Sequence, residues 1–475
     1  MSFGSRVSRR TFVRFSALGA AGAALVACGA QPTAAPATAA PAQATAAGPA
    51  PTNTAEVVAT KAPAAAGAGT KKIVFSSYTW SGYEAAMNQV IDMWKAKNPG
   101  VEVEGQFVGE DYWTKLQTQV ASGSPPDAGI SDWGRLVSYA KSGILLDLTE
   151  FINKDNYPLD KFLPATLEQY KWKEGDFDSG GEGAKVYGLP SDAQGWIFVY
   201  NKDMFDAAGV AYPNDDWTWD DVVAAGKKLT NPDQNKYGFF FPGLGELYRG
   251  DFVYAAGGDF QTPDYKQSAL DKPETIEAFK WVWDTIYTDK IAPNPGAGGS
   301  ADPFASGMVA MHTGGVWMIA DWSNITDFKW DIAQFPKHPK TGKRTTSAES
   351  DGWWAFKGSK EPNLAWSLVA FLASEEGQTK FGELGFVVPG SIPEVAKAYY
   401  QQKPPDNRMN AFNNIVNDSK KVGNTFYEAQ SISGVWFPIL EKAYNDGQDI
   451  TVQMKEAARV MNEELAKAWA KFQGG

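Results

Sequence analysis

Apolar and aromatic residues run without a polar break from Trp196 to Tyr200, in a chain whose other apolar positions mostly recur at strand or helix spacing. Such a run is the pattern of a strand covered on both faces, at the heart of a sheet flanked by helices. Gly188, Pro190 and Ser191 mark a bend just before it. Upstream, Lys72–Tyr78 reads as a strand, and Met87, Val90, Ile91 and Trp94 share one helix face until Asn98-Pro99-Gly100 stops it. Val101, Val103 and Phe107 alternate as a second strand, Asp111–Ser122 reads as a helix, and Asp127–Ile130 as a short strand. Downstream, helices are predicted at Lys202–Ala208, from the capping box of Thr218 and Asp221, and at Glu246–Ala256 and Pro273–Tyr287. The second of these last two would bury Ile276, Phe279, Trp283 and Ile286. Strands are predicted from Phe239 and at Met308–Met311, Asp331–Pro336 and Gly352–Lys357, then helices at Pro362–Leu372, Glu375–Leu384 and Thr451–Phe472. Repeated strand–helix alternation predicts an α/β protein with mostly parallel strands. A bend followed by a buried strand, between two such halves, is what a chain needs to cross between lobes and leave a hinge behind. An ordinary buried strand within one sheet is the other reading of the same run.

The first seventy residues follow a different pattern. Adjacent Arg9 and Arg10 followed by Phe12 resemble a twin-arginine export signal, and the small apolar run Ala17–Ala27 is too short to span a bilayer permanently. Leu25-Val26-Ala27-Cys28 resembles a bacterial lipobox, so residues 1–27 are expected to be a leader and Cys28 the lipidated first residue. The stretch that follows, to position 70, is dominated by Ala, Pro, Thr and Gly without apolar periodicity, and is expected to be a disordered tether. Together these features place a folded body at the outer face of a membrane.

Length and composition narrow the body's chemistry. A chain of 475 residues is too long for one hydrophobic core. Net charge is −11 even with four unopposed arginines in the leader, and no basic stripe is present, which argues against a nucleic-acid partner. Cys28 is the only cysteine and His312 and His338 the only histidines, with no HExxH, GxSxG, phosphate loop or dinucleotide fingerprint. Enzymes built on Cys, His or bound nucleotide are therefore not expected, nor is a cofactor or a metal. Asp233–Gly238 resembles a calcium loop only superficially, because Leu244 stands where the bidentate Glu belongs; a turn is expected there.

Eighteen tryptophans are a surplus that suggests rings presented to a ligand, although core packing can absorb many. Several strand ends pair an aromatic or small residue with an acid or amide: Trp80-Ser81, Ser131-Asp132-Trp133, Asp192-Ala193-Gln194 and Gly314-Gly315-Val316-Trp317. Ligands of open α/β sheets bind beyond the carboxyl ends of strands, and Gly-Gly lets backbone approach one closely. A sugar matches such a cleft, since its C–H face stacks on indole and its hydroxyls pair with carboxylates and amides.

The segments SGSPPDAGISDWGRLVSYAKSGIL, YGLPSDAQGWIFVYNKDMF, FASGMVAMHTGGVW and NLAWSLVAFLASEEGQTKF, in that order, resemble the extracellular solute-binding family of ABC importers, in its carbohydrate-binding, maltose-binding-protein-like branch. The resemblance implies a two-lobe periplasmic-binding-protein fold of type II-like architecture, with hinge-crossing strands and ligand held in an interlobe cleft. It implies a first lobe of residues 71–190 plus about 329–380 and a second of 191–328 plus about 381–475. Trp80 and Ser81 match its first contact loop, Ser131 and Arg135 its binding positions after the third strand, and Gln194 a position in its crossover. Gly134 stands where the maltose binder that typifies the branch has an acid, a role that Asp132 and Trp133 are expected to take. Tyr248, Trp317 and Trp436 match stacking positions of the second lobe, and Trp353 and Trp354 are placed near the cleft by analogy. The function implied is that of a monomeric, lipid-anchored carbohydrate binder that delivers to membrane permease subunits without making or breaking a bond. A secreted glycoside hydrolase, using carboxylates such as Asp132 and Asp192, and a binder of a non-sugar solute are the alternatives.

Overall fold

The computed structural model describes residues 71–79, 82–109, 111–295, 302–385, 391–421 and 429–474. The expected leader, Cys28, the tether, Trp80 and Ser81 lie outside the described residues. Among those residues no helix is long and apolar enough to cross a membrane.

Strands in chain order are β1 (Lys71–Tyr78), β2 (Val101–Val108), β3 (Ala128–Ser131), β4 (Lys171–Trp172), β5 (Lys185–Val186) and β6 (Gly188–Pro190). They continue with β7 (Trp196–Asn201), β8 (Met311–Gly315), β9 (Trp330–Ala333), β10 (Thr346–Ala348), β11 (Gly352–Ala355) and β12 (Ser419–Lys421). One sheet has the order β2-β1-β3-β11-β6 and organises the first lobe; a three-stranded sheet, β8-β7-β9, organises the second. β4–β5 and β10–β12 are two-stranded pairs.

The predicted central strand is β7, buried at every position. Trp196, Phe198 and Tyr200 enter one core with Phe205, Phe252 and Leu440. Ile197 and Val199 enter another with Val309, Ile319 and Trp322. That alternation is the two-residue period of a strand with apolar layers on both faces. Each such side chain is stabilised by roughly 1.5–3 kcal/mol on burial, so a one-residue slip would exchange two complete sets of packing partners. The helices form where apolar spacing and end signals agree. Tyr83–Lys97 buries Met87, Val90, Ile91 and Trp94 on one face, Trp219–Leu229 begins with both bonds of the Thr218–Asp221 capping box, and Pro273–Tyr287 opens on proline and buries Phe279 and Ile286.

Several expectations need correction. The strands are not mostly parallel: β1 runs parallel to β2 and β3, but β11 is antiparallel to β3 and β6, and β7 to both β8 and β9. β11 returns after a lobe crossing and enters the first sheet from the opposite direction. β9 pairs along its length with β7 in the second sheet, so the return to the first lobe lies at Glu349–Asp351, later than position 329. The predicted Glu246–Ala256 helix is a 3-10 stretch, Leu244–Arg249, and a separate helix, Asp251–Ala256, broken by Gly250 at φ 87°. Phe239 begins no strand, and only isolated bridges tie Tyr237 to Val309 and Phe240 to His312. Asp233 sits in a one-turn 3-10 element followed by left-handed Asn235.

Two stretches cross between the lobes side by side. Ser191 N donates to Asp351 O at 2.9 Å, while Gln194 and Glu349 exchange backbone bonds of 2.7 and 2.9 Å. A further contact joins the lobes without using these residues. The loop between β4 and β5 inserts Phe177 against Trp469 of the helix Ile450–Gly474, rings stacked at 4.3 Å and 9°. Phe472 meets Phe177 edge-on at 5.3 Å. Tyr265 and Lys421 both donate to Asp178 Oδ2, at 2.6 and 2.7 Å.

Candidate ligand-binding site

β3 delivers its last residue, Ser131, fully buried. Its hydroxyl lies 2.7 Å from the Tyr170 hydroxyl, and because Tyr170 donates its proton to Ser350 O at 2.6 Å, Ser131 is the donor to Tyr170. The chain then turns through the 3-10 element Trp133–Arg135, in which Trp133 is described by its backbone alone. Asp132 caps the turn by accepting from Gly134 N at 2.7 Å and pairs with the guanidinium of Arg135. Arg135 in turn lies 4.2 Å over the ring of Trp113. Asp132 and Arg135, read from sequence as separate contacts, are thus a mutually neutralised pair on an aromatic seat.

The crossing strands supply a carboxylate–amide knot. Asp192, 5% exposed, accepts from Gln194 Nε2 at 2.9 Å and from Asp351 N at 2.8 Å. Gln194 Nε2 also reaches Asp351 Oδ2 at 3.2 Å, and the Tyr78 hydroxyl donates to that oxygen at 2.5 Å. Burial, then the neighbouring charge of Asp351, raises the Asp192 carboxyl well above the carboxylate range; burial raises Asp351 as well. Like charges in a dry site disfavour double ionisation, and the Gln194 amide, donating to both carboxylates, offsets part of that rise.

The second lobe contributes the 3-10 stretch Leu244–Arg249 and the end of β8. Gly315, opposite Trp196 in the ladder, lies so near the Trp317 indole that a Cβ would come within 2.2 Å of the ring; glycine is what lets that ring lie against the backbone. Arg249 stands over three aromatic faces, 5.2 Å from Trp317, 4.9 Å from Tyr248 and 5.7 Å from Trp196. It pairs with Glu349 of the crossing strand and, at 3.5 Å, with Glu246. Burial pushes Glu349 up to about 7 against the lowering charge of Arg249. One Glu349 oxygen, Oε1, is buried without a hydrogen-bond partner. The two lobes come close here: burial raises the Tyr248 hydroxyl, and the charge of Asp132 from the first lobe adds to that rise.

Ser131, Asp132, Arg135, Asp192, Gln194, Tyr248, Gly315 and Trp317 therefore gather around the crossing strands. Trp353, Trp354 and Trp436 do not. Trp353 and Trp354 are 1% and 0% exposed, because β11 is an inner strand with both faces covered; Trp353 stacks on Phe381 at 5.7 Å and Trp354 meets Tyr139 at 5.2 Å. Trp436, 2% exposed, packs on Phe260 and Phe437 in the second-lobe core. These three indoles are core residues and not stacking faces. Tyr78, Tyr170, Glu349 and Asp351 were missed. Glu349-Ser350-Asp351 precedes an aromatic strand much as Ser191-Asp192 does, which is the signal that could have found the second crossing. The arrangement offers paired donors and acceptors, two partly exposed aromatic rings, Tyr248 and Trp317, and five acids, Asp132, Asp192, Glu246, Glu349 and Asp351, against two arginines.

This geometry agrees with what the chain resembles. The profile of the bacterial extracellular solute-binding proteins matches residues 79–379. A Brucella abortus protein named only as a binding protein is 25% identical over 390 residues, 80% of this chain and 88% of its own length. The maltotriose-binding protein of Pyrococcus abyssi is 26% identical over 269 residues, 56% of this chain and 54% of its own length. In structure, an ABC substrate-binding protein from Listeria monocytogenes, in complex with cycloalternan, superposes with a TM-score of 0.72 at 26% identity, covering 84% of this chain and 99% of that one. These relatives are binding proteins and not enzymes. A match over more than half of the sequence, to a fold of two lobes joined by the crossing strands described above, leads to one conclusion: the chain belongs to the bacterial extracellular solute-binding protein family, the substrate-binding proteins of ABC transporters.

Proposed function

We propose that this protein binds a carbohydrate between its lobes and hands it, unchanged, to membrane permease subunits while held to the cell envelope by a lipid on Cys28. The observation that carries the sugar reading is the convergence of Tyr248, Trp317 and Arg249 from one lobe with Ser131, Asp132 and Arg135 from the other, around the Asp192–Gln194–Asp351 knot. Flat aromatic faces next to paired hydrogen-bonding groups complement a ring with an apolar face and a hydroxyl rim. The names of the Pyrococcus and Listeria relatives, which bind maltotriose and cycloalternan, support an oligosaccharide of glucose units as the first ligand to try. Closure follows from population shift, since only the closed arrangement lets both lobes touch the ligand.

The test is titration of the folded body with maltose, maltotriose, mannotriose and polyols, followed by calorimetry and tryptophan fluorescence. Saturable binding with the sugar recovered intact is expected; no response to any of them overturns the carbohydrate reading, and released reducing sugar would make the protein a hydrolase. For the anchor, Cys28→Ala is expected to move the protein from the membrane to the soluble fraction. A variant that stays in the membrane fraction refutes lipidation at that residue.

A further inference from the structure

The strongest unassigned feature is Arg249. Its side chain is 13% exposed, it lies over three rings at once, and it bonds an acid of the crossing strands, Glu349. Glu349 is itself fixed by backbone bonds in both directions to Gln194 on the other crossing strand, and Gln194 carries the amide of the carboxylate knot. Among the described residues no hydrogen bond holds the Trp317 indole, which lies against Gly315 and packs on the core around Val316. It sits in a one-turn 3-10 element, Val316–Met318, after a strand that ends in glycine. A planar guanidinium is suited to the task, because it can stack on rings with its face while its edge donates to carboxylates.

We infer that Arg249 is a positioning residue: it sets the angle of the Trp317 indole and couples that angle to the crossing strands through Glu349. This rests on the carbohydrate reading only where sugar affinity is the readout. When the lobes rotate, Glu349 moves with the crossing strands, the guanidinium follows, and the ring platform is presented or withdrawn. Arg249 itself need not touch the sugar, so the ring and the hinge behave as one variable.

Two measurements test this. The first needs no ligand: acrylamide quenching of Trp317 fluorescence, taken as the difference between each protein and its Trp317→Phe counterpart. The second is affinity for maltotriose. Arg249→Met is expected to raise Trp317 quenching and to weaken maltotriose binding about threefold, no more than loss of the ring itself would. Arg249→Lys keeps the charge but loses the plane, and is expected to hold the melting temperature near the wild-type value without restoring either the quenching or the affinity. Arg249→Lys matching the wild type in both readouts, or unchanged Trp317 quenching in a folded Arg249→Met, overturns the inference. Should Arg249→Met fail to fold, Arg249→Lys decides alone. Should the wild type ignore maltotriose, the glucose-unit reading loses its first ligand while the quenching comparison still decides the role of Arg249.

Discussion

Removing the indole of Trp317 is expected to weaken sugar binding about threefold to tenfold, the worth of one stacked ring, with little change in unfolding free energy. Trp353→Ala should do the reverse: a buried ring stacked on Phe381 leaves a cavity that costs about 3–5 kcal/mol, read as a lower denaturant midpoint. The contrast, from calorimetry and urea unfolding of both variants, separates ligand platform from packing. It also explains what the sequence could say at this scale. The close approach of the Trp317 ring to the backbone was legible because glycines precede it, and Cβ-free backbone beside an indole is a local property. Trp436, Trp353 and Trp354 looked equivalent in sequence, but whether a ring faces a cleft or a core is decided by the elements packed on it. Ser131, Asp132, Asp192 and Gln194 were legible as polar residues ending or following strands; that Asp132 would be spent on Arg135 was not, because pairing depends on the turn between them.

Among the elements, amphipathic helices and β7 were read close to their true bounds, since period and end signals agree there. Thr218→Ala should cost about 1 kcal/mol through loss of the capping box, measurable as a fall in melting temperature. Short strands and 3-10 stretches were read poorly. Three or four residues carry too little pattern, and Gly250, which splits the expected helix, is a permissive residue whose φ of 87° is set by context. The crossing strands and the helix next to them carry a pH dependence. Burial pushes Asp251 and Glu349 up to about 7, whereas an unfolded chain titrates such groups near pH 4. The folded protein therefore binds more protons across that window, so stability is highest near its acid end, falls as pH rises toward 7, and levels off above it. The melting temperature at pH 5.5 should exceed that at pH 8. Asp251→Asn, which keeps an oxygen for Ser347 N, should reduce the difference while the Glu349 share remains. An unchanged slope would place the effect elsewhere.

For the molecule as a whole, the division into two lobes was legible because one uninterrupted apolar strand stood between two α/β halves, and because ordered segments resembled a known family. The antiparallel return of β11 and the true position of the second crossing were not legible, as both depend on which sheet a strand joins. The stack of Phe177 on Trp469 was not legible either: nothing in a loop of Gly, Asp and Glu foretells a partner almost three hundred residues away. Phe177→Ala should leave the cores folded but increase the radius of gyration of the sugar-free protein, measured by small-angle scattering. That stack gives the protein a latch as well as a pivot. If the lobes part at this edge, Phe177 must leave Trp469, so Phe177→Ala is also expected to speed both uptake and release of a bound sugar, read by stopped-flow tryptophan fluorescence. An unchanged release rate in that variant would leave the stack a packing contact alone.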